Sequence, residues 1–344
     1  MHSLTLLYDF GETKVQQRNF IAKGNKRKHR FLQVRRNLYA FVIERTKHIL
    51  KVEGKTGMII PHSSICTDRM EPLCKILLEN GAWFSTYDTR PSTLFDGVDQ
   101  RLLIYILGGK EVYSTTYNRW YTQNRQILLP TIKYTRAVLS KQYMSVSKFS
   151  WGIEESIFNK VTNNRTLGGS LFSKNGIPIY YHNAPRYFLR FAEKPPYFYS
   201  DKVGEQVSGH IKSIYAQSKS DFTRFAAALN SSLFFWWFTI FSNCRDLVSR
   251  EIYSFCVPSF DMDAKLVSKL LADYDAKAYR KETFYKTTGK VIYDEYYPSK
   301  SKPIIDEIDK VLAKHYGFTE EELDFIINYD IKYRMGDELE NNDE

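Results

Sequence analysis

The stretch from Gly57 to Gly109 limits the possible folds more than any other part of the chain. Met58, Ile59 and Ile60 form a short apolar run between Gly57 and Pro61, the pattern of a buried strand. Thr67 or Asp68 is placed to cap the helix that follows, with Glu71 reaching back to its N-terminal backbone. That helix carries Leu73, Ile76, Leu77 and Leu78, and Asn80-Gly81 ends it. Trp83 to Tyr87 and Leu102 to Leu107 then read as two strands joined by a loop rich in Pro, Asp and Gly. A buried strand, a crossover helix and a closing hairpin make the last third of an open α/β sheet. No other stretch of the sequence reads as the first two thirds.

Several separated motifs share an order with a known family. They are Asn37-Leu38-Tyr39-Ala40-Phe41 with Glu44-Arg45, the Ile60-Pro61 step, and Arg90-Pro91-Ser92 running on to Leu94-Phe95-Asp96-Gly97 and Gln100-Arg101. Further on come Ala228-Leu229-Asn230-Ser231-Ser232 and Lys302-Pro303-Ile304-Ile305-Asp306. Together they resemble the C-terminal part of prokaryotic DNA adenine methyltransferases of the restriction–modification and phage-defence kind, with a TaqI-like target-recognition domain. The resemblance implies an α/β fold: the last third of a methyltransferase-type open sheet, a mixed α/β target-recognition domain, and C-terminal helices. It implies transfer of a methyl group from S-adenosylmethionine to the exocyclic amine of a flipped adenine in double-stranded DNA. It also puts Phe95 at the target-base pocket, where an aromatic ring in this loop helps wall in the flipped base.

The family's cofactor loop and its catalytic tetrad, Asn or Asp-Pro-Pro-aromatic, belong before Asn37, where only a basic, strand-poor lead lies. Lys194-Pro195-Pro196-Tyr197 has Lys for the amide and lies beyond the hairpin, so it reads as a Pro-Pro-aromatic turn. The expectation is therefore a truncated or split enzyme with no catalytic residue in this chain. Alone it would bind no S-adenosylmethionine, and an N-terminal half-enzyme or a modification subunit would supply that function. A catalytically inactive DNA-binding specificity module is the alternative, and a structural protein of a defence complex is a third reading.

Charge agrees with a polyanionic partner. Lys and Arg number 49 against 39 Asp and Glu, a formal +10 with a pI near 9.1. Lys26, Arg27 and Lys28 in the lead are candidate phosphate contacts, as are Arg101, Arg186, Lys194, Lys202, Lys212 and Arg245 further on. Cys66, Cys74, Cys244 and Cys256 show no metal spacing, so no metal is expected and a reduced, cytoplasmic setting is the simplest reading. The apolar run Leu233 to Phe241 is too short to span a bilayer and reads as a buried helix, so no membrane partner is expected. There is no nucleophile elbow and no carboxylate pair at metal-ligand spacing.

The sequence divides as a basic lead (1–36), the catalytic-domain remainder (37–110), a connector (111–150), the target-recognition domain (151–260), a helical region (261–334) and an acidic tail (335–344). In the connector, the rings of Tyr117-Asn118-Arg119-Trp120-Tyr121 are expected to pack. The target-recognition domain should hold strands over Ile177–Tyr181 and Tyr187–Phe191 and one long helix from Phe222 to Phe241. A helix opened by Ser301 and Pro303 and closed by Gly317 should precede a second one with a Thr319–Glu322 capping box. The glutamates opening that second helix argue against a DNA-reading helix-turn-helix.

Overall fold

The computed structural model describes residues 37–51, 53–79, 81–140, 145–149, 152–163 and 172–336. Lys26, Arg27 and Lys28 lie outside the described residues, as does most of the acidic tail. The chain forms two compact units, Met1–Trp151 with Ile240–Asn243, and Gly152–Thr239 with Cys244–Glu344.

In the first unit, helix α1 (Leu38–Ile49) buries Ala40, Phe41 and Ile43, while Ile49 at its end is 68% exposed. Strand β1 (Thr56–Pro61), helix α2 (Glu71–Leu78) and the hairpin β2 (Ala82–Tyr87) and β3 (Leu102–Leu107) follow, where the sequence pattern puts them. A 3₁₀ turn over Asp68–Met70 leads into α2, whose N-cap is Met70 with no side-chain cap, so the expected capping by Thr67 or Asp68 is absent. Pro72 stands in the first turn, where its fixed φ suits the helix and its missing N–H needs no partner. β3 pairs antiparallel with both β1 and β2, from Pro61↔Leu102 on one side and Tyr87↔Leu102 on the other. β1 and β2 therefore run in the same direction on either side of it.

The connector reading of 111–150 is corrected by β4 (Val112–Asn118), which pairs parallel with β2 and extends the sheet to the order β1-β3-β2-β4-β5, with β5 at Thr135–Arg136. Its inward residues hid it. Ser114 and Thr115 are buried polar groups, satisfied from elsewhere, as when Ser114 Oγ donates to the Ser147 carbonyl at 2.7 Å. A short ladder of β6 (Leu139–Ser140) and β7 (Ser145–Val146) closes the unit. Tyr117 and Trp120 are buried, as the packing reading expects.

The second unit opens with helix α3 (Ile153–Asn163) and holds two sheets. One is β12-β8-β9, with β8 at Phe172–His182, β9 at Phe191–Ala192 and β12 at Ile211–Ala216. The strand expected over Tyr187–Phe191 is thus only its last residue and Ala192; 183–190 is loop. The expected long helix is two, α4 (Lys219–Asn230) and α5 (Ser232–Phe241), and side-chain chemistry at the joint explains the break. Asn230 turns its amide to the Phe191 backbone, accepting its N–H and donating to its carbonyl, both at 2.9 Å. Ser231 is extended, its Oγ accepts the Phe234 N–H at 3.1 Å, and the Ser232 N–H donates to Asp309. A new N-terminus begins there.

Helices α6 (Ser249–Ser254) and α7 (Ala264–Ala276) lead to a hairpin, β13 (Tyr279–Tyr285) and β14 (Gly289–Glu295). β14 pairs with β10 (Phe198–Ser200), giving the sheet β11-β10-β14-β13 with β11 at Gly204–Glu205. The purely helical reading of 261–334 and the boundary at 260 are both corrected by this pairing. β13 is exposed along nearly its whole length, so it shows no alternation to read. Helix α8 (Lys302–Tyr316) ends at Gly317, whose φ of 70° suits glycine, and α9 (Glu320–Ile327) carries the expected Thr319–Glu322 capping box.

Candidate functional site

At one end of the first unit's sheet, the three strands that share a direction finish together. His62 follows β1, Asp88 follows β2 and Arg119 follows β4, while Arg101 precedes the reversed strand β3. In open α/β sheets this carboxyl end is where ligands bind. Arg119 Nε donates to Asp88 Oδ2 at 2.8 Å, and Arg101 Nε lies 3.3 Å from Oδ1. The Thr89 N–H also donates to Oδ1, at 2.7 Å. Asp88 is 4% exposed and sits between two guanidinium groups, so it is a fixed acceptor and the trio carries one net positive charge. His62 is fully buried and stacks on Tyr117, ring centroids 5.5 Å apart. Burial, with Lys148 and Arg101 nearby, holds its imidazole well below the usual range, and its Nδ1 has no hydrogen-bond partner. His62 is a neutral ring here.

These groups anchor the loop that carries Phe95. Arg125 donates to the Thr93 carbonyl at 3.3 Å, and Leu94 is buried in a cluster with Tyr87, Leu102, Trp120 and Leu128. Phe95 is half-buried and packs against that same cluster. The ring therefore has one side on the core and a share left to solvent.

The turn after β1 differs from the glycine-rich loop expected of an S-adenosylmethionine site. β1 runs into His62–Ile65, a 3₁₀ turn with no glycine to bring backbone against a ligand. The Gly108-Gly109 pair lies against Trp83, whose ring a Cβ on Gly109 would meet at 3.0 Å, and both glycines line a pocket of 590 Å³ with Leu107 and Lys110.

In the second unit, three of the sequence-predicted cations converge on the loop after β8. Arg186 lies in that loop. Lys212 stands opposite Tyr181 in β12, its ammonium donating to the Gly209 carbonyl at 2.9 Å. The segment after Arg245 is held to the loop, because the Leu247 N–H donates to the Asn183 carbonyl at 2.8 Å. Arg186, Lys212 and Arg245 are all exposed. Two histidines join them. His182 and His210 stack with centroids 5.6 Å apart, and the Asn183 N–H donates to the His210 carbonyl at 2.9 Å. Burial, then the neighbouring His210, lowers the His182 pKa. Lys194 lies apart in the loop from β9 to β10, and Lys202 in the turn after β10; both are exposed.

Beside this loop is a pocket of 430 Å³, lined by Tyr180, Arg186, Tyr187, Arg190, Tyr293 and Tyr296 among others. Sequence reasoning missed it because its walls come from β8, the loop after it and the end of β14, far apart in the chain. Among the described residues no group of His, Cys, Asp and Glu is arranged to hold a metal, and no helix is long and apolar enough to cross a membrane.

No protein-family model and no curated protein matches this chain. Among solved structures, it is similar to a chain of the cryo-EM structure of the DrdV–DNA complex, at 11% identity and a TM-score of 0.28. The match covers 38% of this chain and 15% of that one.

Proposed function

We propose that this chain supplies the DNA-recognition half of a site-specific DNA adenine methyltransferase, the cofactor-binding half being carried elsewhere, in the same longer polypeptide or in another. One observation carries the reading: β1, α2 and the β2–β3 hairpin follow one another as the motif order requires, and the reversed strand is inserted between two that share a direction. The loop bearing Phe95 then leaves the carboxyl end of the sheet, where the family resemblance wants a base-facing ring. The second unit adds a positively charged loop cluster suited to phosphates. When present, S-adenosylmethionine supplies the methyl group; the residues described here bind and orient DNA.

A catalytically inactive DNA-specificity module is the second reading. It is favoured by the turn after β1, which has no glycine to bring backbone against a cofactor.

Selection from a randomised duplex pool tests both against no DNA role at all. A site-specific reader loses about 1–3 kcal/mol for each wrong base pair, so the bound pool should converge on one short sequence. Convergence on a sequence containing adenine supports the methyltransferase reading. A shared sequence without adenine leaves only the specificity module, and a bound pool with no shared sequence overturns both.

A further inference from the structure

The pocket of the second unit has a chemistry that nothing above uses. Its volume of 430 Å³ is that of a small-molecule site. Tyr180, Tyr187, Tyr293 and Tyr296 give it faces on which a planar ring can stack. Arg190 lies over the Tyr296 ring at 3.6 Å and is paired with Asp275 at 3.4 Å. The Arg190 Nε–H, however, is buried and meets no acceptor. The two carboxylates in the lining are already occupied, Asp294 by Arg280 at 2.6 Å and Glu295 by Lys281. They present no free negative charge to an anion. At the rim stand Arg186 and His182, with His210 stacked behind His182.

We propose that this pocket takes one unstacked nucleotide, with the base between the tyrosine rings and the phosphate on Arg186 and His182. The assignment rests on the DNA reading for its source of nucleotide, but its chemistry is that of any nucleoside monophosphate. An aromatic cavity alone would accept many planar ligands. The tyrosine walls with the Arg186 cation beside them select one that is flat and ends in a phosphate.

Ala184→Trp is the informative variant. Ala184 lines the pocket and is exposed, and its role in the loop is a backbone N–H donated to His182 Nδ1 at 3.0 Å, which the substitution keeps. An indole there blocks the mouth without burying new volume in the core. The full chain is titrated with a plain duplex and with the same duplex carrying one unpaired 2-aminopurine. Wild type should prefer the bulged duplex and shift the 2-aminopurine fluorescence. Ala184→Trp should lose that preference, about 5- to 150-fold for one stacked base, while the melting temperature stays unchanged. Equal affinity of wild type for both duplexes, or an unchanged preference in Ala184→Trp, overturns the pocket while leaving DNA binding intact. Should wild type bind neither duplex, the DNA reading fails, and titration with free adenosine monophosphate decides the pocket alone. Binding that Ala184→Trp abolishes keeps it as a mononucleotide site, and no binding overturns it.

Discussion

Two buried carboxylates behave differently because of what surrounds them. Asp88 lies between Arg101 and Arg119, and the Arg119 side chain is only 3% exposed. Asp88→Asn removes the charge that balances a buried guanidinium, so it should cost about 3–5 kcal/mol and lower the denaturation midpoint accordingly. A midpoint like wild type would mean that Arg119 has another adequate counter-charge. Asp309 is fully buried, with the Ser232 N–H donating to it at 3.0 Å. Burial raises its pKa to about 6, against the pull of that hydrogen bond and of Lys302. The folded state therefore holds its proton more tightly than the unfolded state does. The stability this contributes is fully present below the ordinary carboxylate pKa near 4 and is lost as pH rises to about 6. Urea midpoints across that window should fall with pH in wild type and fall less in Asp309→Asn; parallel curves would assign the titration to another group. Phe95 tests a position. Packed on one side against the cluster that holds Tyr87 and Trp120, it should cost about 1–2 kcal/mol of stability as Ala, through lost apolar burial. Phe95→Trp then separates the two roles: a ring facing a base tolerates it, whereas a plug overpacks and lowers the melting temperature.

Elements were legible in the sequence where their reasons are local. The Thr319–Glu322 capping box is formed as its spacing requires, with Thr319 Oγ1 accepting the Glu322 N–H at 3.2 Å. β1, α2 and the β2–β3 hairpin follow from apolar runs and their punctuation. The break between α4 and α5 does not, because its cause is distant: Asn230 is drawn to Phe191, and Ser232 is received by Asp309. Asn230→Ala should leave the Phe191 N–H and carbonyl unpaired in the core, each at a cost of about 1–3 kcal/mol. A melting temperature within error of wild type would mean that the helices rejoin or that water replaces the amide. β4 hides behind buried Ser114 and Thr115, and β13 behind exposure on both faces. The candidate site divides the same way. Arg186, Lys212 and Arg245 stand out as cations in the sequence, but the His182–His210 stack and the tyrosine pocket appear only when strands far apart in the chain are paired.

For the whole molecule, the open question is whether its charge is spread evenly or concentrated at a site. A formal +10 alone would draw any protein to DNA at low salt. Spread charge and a phosphate-contacting cluster differ in how binding responds when specific cations are removed. Each phosphate neutralised contributes about 0.9 to the slope of log affinity against log salt, so several contacts mean a roughly thousandfold or larger loss between 50 and 200 mM. Replacing Arg186, Lys212 and Arg245, all exposed, by Ala should lower that slope by about 3, with the melting temperature as the check that the fold is kept. Lys47, Lys75 and Lys269 form the matched control. They carry the same total charge but are held by Glu79, Glu71 and Glu307. Exposed pairs of this kind contribute little to stability, so their removal changes net charge and almost nothing else. A slope that falls only in the first triple locates phosphate contact at the loop after β8. Equal falls in both would show that the duplex responds to net charge alone, and the loop cluster would lose its claim to be a DNA-binding surface.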